Sequence, residues 1–187
     1  MRVAFYGGSF DPPHVGHAMV AGWLRWTDLA DEVWLVPARA HPFGKRSRPF
    51  ALRLALCEAL AEGVGPWVRT SDVEGHLDAP SYTLDTLETL AARHPEHTFR
   101  VVIGADNLSQ LSEWKDWDRI EAGYDPIVVG RDGYPVPPGS VVFPRISSTA
   151  IRARLAKGER VDHLVPATVL ARLGGAYSPD GPSPTTP

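Results

Sequence analysis

A chain of 187 residues with 43% hydrophobic content can bury one α/β core and cannot build two large ones. Its formal net charge of −3, with no run of basic residues, argues against a nucleic-acid surface made of phosphate contacts, so an anionic ligand must be held by local groups. Cys57 is the single cysteine, which excludes an internal disulfide, and no apolar run is long enough to cross a bilayer.

The chain begins directly on a strand pattern, without a signal-peptide pattern, which predicts a cytoplasmic protein. Val3-Ala4-Phe5-Tyr6 is short and apolar, as a buried strand should be. It runs into Gly7-Gly8-Ser9-Phe10-Asp11-Pro12-Pro13-His14-Val15-Gly16-His17, read as a glycine turn leading to a helix over residues 18–24. Paired glycines let backbone amides approach a ligand, and the free amides of a helix start carry roughly half a positive charge. Such a place suits a phosphate. If the helix starts near Val15, His14 and His17 lie on one face of its first turn. Zinc bound by His14, His17 and Asp11 is a competing reading, weakened by the lack of a further ligand cluster. The glycine fingerprint of dinucleotide-binding Rossmann domains is absent.

Residues 32–37 read as a second buried strand ended by a proline, and strand, helix, strand suggests a parallel pair. The loop after it, residues 38–48, is polar and basic and leaves a strand's carboxyl end, a good place for an anion contact through Lys45 or Arg46. Pro49 opens a helix expected to reach about residue 62 and to stop before Gly63. Cys57 falls within it as a small core residue. A short third strand over 67–71 precedes a helix that Ser81 or Thr83 can cap, continuing to about residue 93.

Residues 99–104 form a fourth strand that ends in Gly104 and is followed by Asp106, whose two oxygens suit a ribose diol or a helix cap. Trp114 and Trp117 offer two aromatic faces for a heterocycle, and spacing leaves the choice open. A fifth strand over 126–130, a proline- and glycine-rich loop and a short sixth strand over 141–143 lead to Ile146-Ser147-Ser148-Thr149-Ala150-Ile151-Arg152, a capped helix start. Its hydroxyls, amides and guanidinium could also form a polyphosphate cradle. A last helix near 167–173 is expected on the sheet, and from residue 178 no apolar side chain remains to bury, which predicts disorder. The expected organisation is one domain over 1–175 with a tail over 176–187. It is an α/β doubly wound parallel sheet of five to six strands with helices on both faces.

Four of these segments resemble one family, among them Ile103-Gly104-Ala105-Asp106 with Trp114 eight residues after Asp106. Residues 8–17 resemble the His-x-Gly-His signature of the nucleotidylyltransferase superfamily as bacterial nicotinate-nucleotide adenylyltransferases carry it. Ser81-Tyr82-Thr83-Leu84-Asp85-Thr86-Leu87 resembles a second segment of that family, and residues 146–152 the superfamily's second signature. The resemblance covers about residues 2–173. It implies a Rossmann-like fold and transfer of an adenylyl group from ATP to nicotinate mononucleotide, giving nicotinate adenine dinucleotide and pyrophosphate. ATP would lie over Gly7, Gly8, Ser9, Phe10, His14 and His17, with Gly104 and Asp106 at its ribose and Ile146, Ser147, Ser148, Thr149 and Arg152 at its phosphates. Ser81, Tyr82, Thr83 and Trp114 would take the mononucleotide, and Lys45 the reacting phosphates.

In that reading His14, His17, Lys45 and Arg152 carry the catalysis, and Mg²⁺ is carried on the ATP phosphates with no protein carboxylate committed to it. The partners implied are small molecules, with no nucleic acid and no membrane, in a monomer or a homodimer. Nicotinamide mononucleotide and phosphopantetheine are alternative acceptors, and a non-catalytic ATP-binding regulator is the alternative of another class.

Overall fold

Six short apolar segments pair side by side, all parallel, in the order β3-β2-β1-β4-β5-β6. A computed structural model describes residues 1–40, 47–174 and 177. In chain order the elements are β1 (Arg2–Gly8), α1 (Val15–Trp26), β2 (Glu32–Pro37), α2 (Phe50–Val64), β3 (Val68–Thr70), α3 (Thr83–Arg93), β4 (Thr98–Gly104), α4 (Trp117–Gly123), β5 (Ile127–Arg131), β6 (Val142–Phe143), α5 (Ser148–Leu155) and α6 (Ala167–Leu173). Two 3₁₀ segments, Val73–His76 and Ala105–Glu113, lie between them.

Side chains of a strand point alternately to its two faces, and here both faces are buried. Ala4, Val33, Leu35 and Val102 pack with α1, α2, α5 and α6 on one side. Val3, Phe5, Trp34, Val36, Val101 and Ile103 pack with α3 and α4 on the other. The helices match this by spacing. Leu84, Leu87 and Leu90 recur every three residues along one face of α3 and are essentially inaccessible, and each such burial stabilises by about 2 kcal/mol.

β1 pairs with β2 on one side and with β4 on the other, so the connections run outward in opposite directions from β1. A crevice must open above the carboxyl ends of β1 and β4, where the strand order reverses. The fold therefore dictates where a ligand can sit before any side chain is considered.

Several sequence expectations change. Gly7 and Gly8 close β1 in register with Val36 and Pro37, so the turn comprises the residues after them, with Phe10 in the left-handed region at φ 46°. α2 runs through Gly63 and ends at Gly65, because Gly63 serves contact between helices. A Cβ there would stand 2.6 Å from Thr168 Oγ1 on α6. α6 packs against α2, and its buried Val169 and Leu173 join the core on that face of the sheet. Neither Ser81 nor Thr83 caps α3, whose first turn follows Tyr82 without a side-chain cap.

Candidate active site

The crevice holds a cavity of about 590 Å³. Its floor is the end of β1 and the turn to α1, with Gly7, Gly8, Ser9, Phe10, His14 and His17. One wall is the α5 start, with Ile146, Ser147, Ser148 and Thr149. The far end is the α3 start, with Ser81, Tyr82 and Thr83, facing Trp114. Gly104 and Asp106 lie between them at the end of β4. Four widely separated segments thus meet in one place.

The α1 start is tightly built. His14 precedes the helix in extended conformation, and its backbone N–H donates to His17 Nδ1 at 3.0 Å. That bond makes Nδ1 an acceptor, so neutral His17 carries its proton on Nε2. The two rings stack with centroids 3.7 Å apart, and Phe10 sets its ring edge against His17 at 4.8 Å. Gly16 eases this stack, since a Cβ there would stand 3.0 Å from the His14 ring, tighter than ordinary contact. Burial lowers the pKa of His14 to about 4, helped by the positive charge of Arg131. Burial, then His14 and Arg131, also hold His17 well below its ordinary value. Both rings are neutral near pH 7 and act as hydrogen-bond donors and acceptors rather than as fixed charges.

The α5 start is built differently. Ser147 caps the helix by accepting from the Ala150 N–H at 3.1 Å. Ser148 Oγ donates to the Pro12 carbonyl at 3.0 Å, and Arg152 donates to the Asp11 carbonyl at 2.6 Å and to Thr149 Oγ1 at 3.2 Å. Arg152 does not line the cavity; it ties α5 to the turn that carries the histidines. Lys45 and Arg46 lie outside the described residues.

At the far end, Ser81 Oγ donates to Glu74 Oε2 at 2.6 Å, Thr86 Oγ1 to Glu74 Oε1 at 3.1 Å, and the Arg39 backbone N–H to Oε2 at 2.9 Å. Burial raises the pKa of Glu74 while these donors oppose the rise. Ser81 is therefore spent on holding the turn, and Thr83 with the first amides of α3 is left to face the cavity. Lys115 also lines this end, paired with Asp85 at 2.8 Å and set over the Tyr82 ring at 5.1 Å. Of the two candidate tryptophans, Trp114 lines the cavity and Trp117 does not; their rings meet edge to face at 6.0 Å.

Four residues with no local sequence signal support the site. Arg131, at the carboxyl end of β5, pairs with Asp106 at 2.9 Å and donates to the Ile146 carbonyl. Its place at a strand end was the one available clue. Arg53 is buried on α2 and donates to the carbonyls of Ser9, Arg39 and Arg48. Tyr177 donates to Asp11 Oδ1 at 2.6 Å, and the Arg48 N–H to Oδ2 at 3.1 Å. Glu74 completes the set.

These commitments test a metal. Asp11, Glu74 and Asp106 each already bind donors or a guanidinium, so among the described residues the cavity has no uncommitted carboxylate pair to hold a magnesium ion. The zinc reading of His14, His17 and Asp11 meets the same difficulty.

Comparison with known proteins agrees with this geometry. The profile of the cytidylyltransferase-like family matches residues 5–154. A probable nicotinate-nucleotide adenylyltransferase of Anaeromyxobacter sp. (strain K) is 48% identical over 172 residues, 90% of this chain and 91% of its own length. One from Myxococcus xanthus is 45% identical over 182 residues, 95% of each chain. The structure of a Plasmodium falciparum nicotinic acid mononucleotide adenylyltransferase complexed with NaAD superposes with TM-score 0.79 at 20% identity, covering 94% of this chain and 97% of that one. The last likeness establishes the fold.

Proposed function

We propose, from the premise that this chain belongs to the cytidylyltransferase-like family and within it to the nicotinate-nucleotide adenylyltransferases, that its cavity is where ATP and a pyridine mononucleotide meet. The chain is a nucleotidyltransferase of NAD biosynthesis. It transfers the adenylyl group of ATP to nicotinate mononucleotide and releases pyrophosphate. The observation that carries this reading is the convergence, on one cavity, of the histidine-bearing α1 start, the hydroxyl-bearing α5 start and the α3 start with Trp114.

The mononucleotide phosphate attacks the α-phosphorus of ATP. Its second pKa lies near 6, so it is mostly dianionic at neutral pH and requires no general base. The protein's work is to position the two phosphates and to stabilise charge as pyrophosphate departs. His17 donates from Nε2 and His14 from the adjacent ring, to the α-phosphate and the bridging oxygen. Amides of Gly8 and Ser9 and of the α5 start line the phosphates, with Lys45 added from the loop. Asp106, already turned toward Arg131, takes the ribose of ATP. Ser148 and Arg152 serve by holding the Asp11–Pro12 turn in place. Mg²⁺, in our reading, would be carried on the ATP phosphates and would offset part of their charge there.

At the other end the pyridine stacks on Trp114, and its carboxylate is received by Thr83 and the free amides of α3, where a negative charge is favoured. Lys115 adds a cation nearby. Partners are small molecules in this reading. Among the described residues no helix is long and apolar enough to cross a membrane.

The test is pyrophosphate release from ATP and Mg²⁺ with nicotinate mononucleotide, nicotinamide mononucleotide and phosphopantetheine offered separately. The expected result is fastest release with the nicotinate form, and a Trp114→Ala variant whose KM for it rises. No release with any acceptor, despite ATP binding, would make the chain a non-catalytic nucleotide-binding module.

A further inference from the structure

At the opposite end of the sheet a second group of functional side chains converges. The turn between α3 and β4 reads His94-Pro95-Glu96-His97. His94 Nδ1 stands 3.7 Å from Glu96 Oε1, and His97 Nε2 stands 3.5 Å from the same oxygen. All three ligand atoms lie within 4.8 Å of one another. These separations are too long for good hydrogen bonds. The two separations from Glu96 Oε1 are a few tenths of an ångström wider than those between ligands of a shared cation, since atoms bound to tetrahedral Zn²⁺ at about 2.0–2.1 Å stand about 3.3 Å from each other.

The group is also held. The two imidazole rings lie parallel, 6° apart, with centroids 5.7 Å from each other. Trp34 on β2 sets its ring edge-on to both, at 4.9 Å from His94 and 5.7 Å from His97. The amino group of Met1 donates to the Glu96 carbonyl at 3.2 Å, and the Thr98 N–H to the Met1 carbonyl at 2.9 Å, so the turn is stitched to the start of β1. Among the described residues His97 Nδ1 is buried without a hydrogen-bond partner, and Nε2 is the His97 atom that faces Glu96. The Glu96 side chain is 61% exposed, so the site is open to solvent on one side.

We infer that this turn binds a divalent transition-metal ion of the Zn²⁺ class through His94 Nδ1, His97 Nε2 and Glu96 Oε1, with solvent completing the coordination. Two imidazole nitrogens and one carboxylate oxygen suit Zn²⁺ and its neighbours and do not suit Mg²⁺ or Ca²⁺, which prefer oxygen ligands throughout. The site is separate from the cavity. β4 begins at Thr98 beside this turn and reaches the cavity at Gly104, about 20 Å away at the rise of an extended strand. Binding there ties the end of α3 to the N-terminal edge of the sheet, and its role is structural.

The test is equilibrium dialysis of the full chain against Zn²⁺ alone, with a thermal melt of each sample. The wild type should bind one equivalent with a raised thermal midpoint. A His94→Ala/His97→Ala variant should lose both the equivalent and the rise, and Glu96→Gln, at an exposed position, should weaken binding without altering the metal-free melt. A His14→Ala/His17→Ala variant should keep the equivalent, which separates this site from the cavity. Co²⁺ should quench tryptophan fluorescence in the wild type and much less in Trp34→Phe. Retention of the ion by His94→Ala/His97→Ala, its loss in His14→Ala/His17→Ala, or no binding by the wild type would each overturn the inference.

Discussion

At the start of α1 the polar groups are held by packing and left chemically available, whereas at the start of α5 they are consumed by the scaffold. His17 is fixed by a ring stack, an aromatic edge and one bond to its Nδ1, and among the described residues its Nε2 has no hydrogen-bond partner. Ser148 and Arg152 are fixed by donating to the carbonyls of Pro12 and Asp11. Both segments look like phosphate cradles in sequence. The difference teaches that one of them keeps its imidazoles in the cavity lining while side chains of the other brace the turn that carries them.

The largest effect should separate the two at once. His17→Ala is expected to lower kcat about 10²–10³-fold, the scale of losing a donor to developing charge, while the thermal midpoint moves by only a few degrees. Initial rates of pyrophosphate release together with a melt would show it, and near-normal turnover would remove His17 from the chemistry. Arg152→Ala should instead lower stability and turnover together. It removes a charge-assisted hydrogen bond worth about 1.5–3 kcal/mol, and Arg152→Lys should restore little because the geometry of the guanidinium is lost. Lost turnover with an unchanged melt would mean that Arg152 touches the phosphates directly, and the contrast would fail.

Acid titration sharpens the same contrast. His14 has a folded-state pKa of about 4 against an ordinary 6.5, and His17 is shifted in the same direction, so on acidification the unfolded chain binds these protons first. Stability should be full above about pH 6.5 and fall as the pH is lowered toward 4. His14→Gln should flatten that slope in denaturant titrations across the window, whereas Arg152→Ala should shift the whole curve down without changing its slope. The smallest effect belongs to Ser148→Ala, about 1 kcal/mol for its single bond to Pro12. Combined with Arg152→Ala it should cost less than the sum, because both side chains secure one turn.

What the sequence revealed followed from local rules. Strand β2 was legible over its whole length because a run buried on both faces is continuously apolar and ends in a proline. The α1 start was legible because its signature is contiguous. The helix end at Gly63 was misread, since a glycine that admits Thr168 and a glycine that stops a helix look the same without the neighbouring helix. The cap expected from Ser81 failed for a related reason. α3 starts one residue later than a Ser81 cap needs, with Tyr82 before its first turn, and Ser81 turns its hydroxyl proton to Glu74, a partner that nothing in the run Val73-Glu74-Gly75 announces. Arg53 and Arg131 were silent because their partners are carbonyls and carboxylates brought from distant segments by the topology.

Cys57 sits fully buried in α2, with its thiol pKa pushed far up by burial. Thiol reagents attack the thiolate, so the native protein offers them almost nothing to attack. Modification then waits for α2 to come away from the sheet. The rate at which a reagent in excess labels this single thiol therefore measures how often that layer of the fold opens, giving the native chain an internal clock that needs no introduced probe.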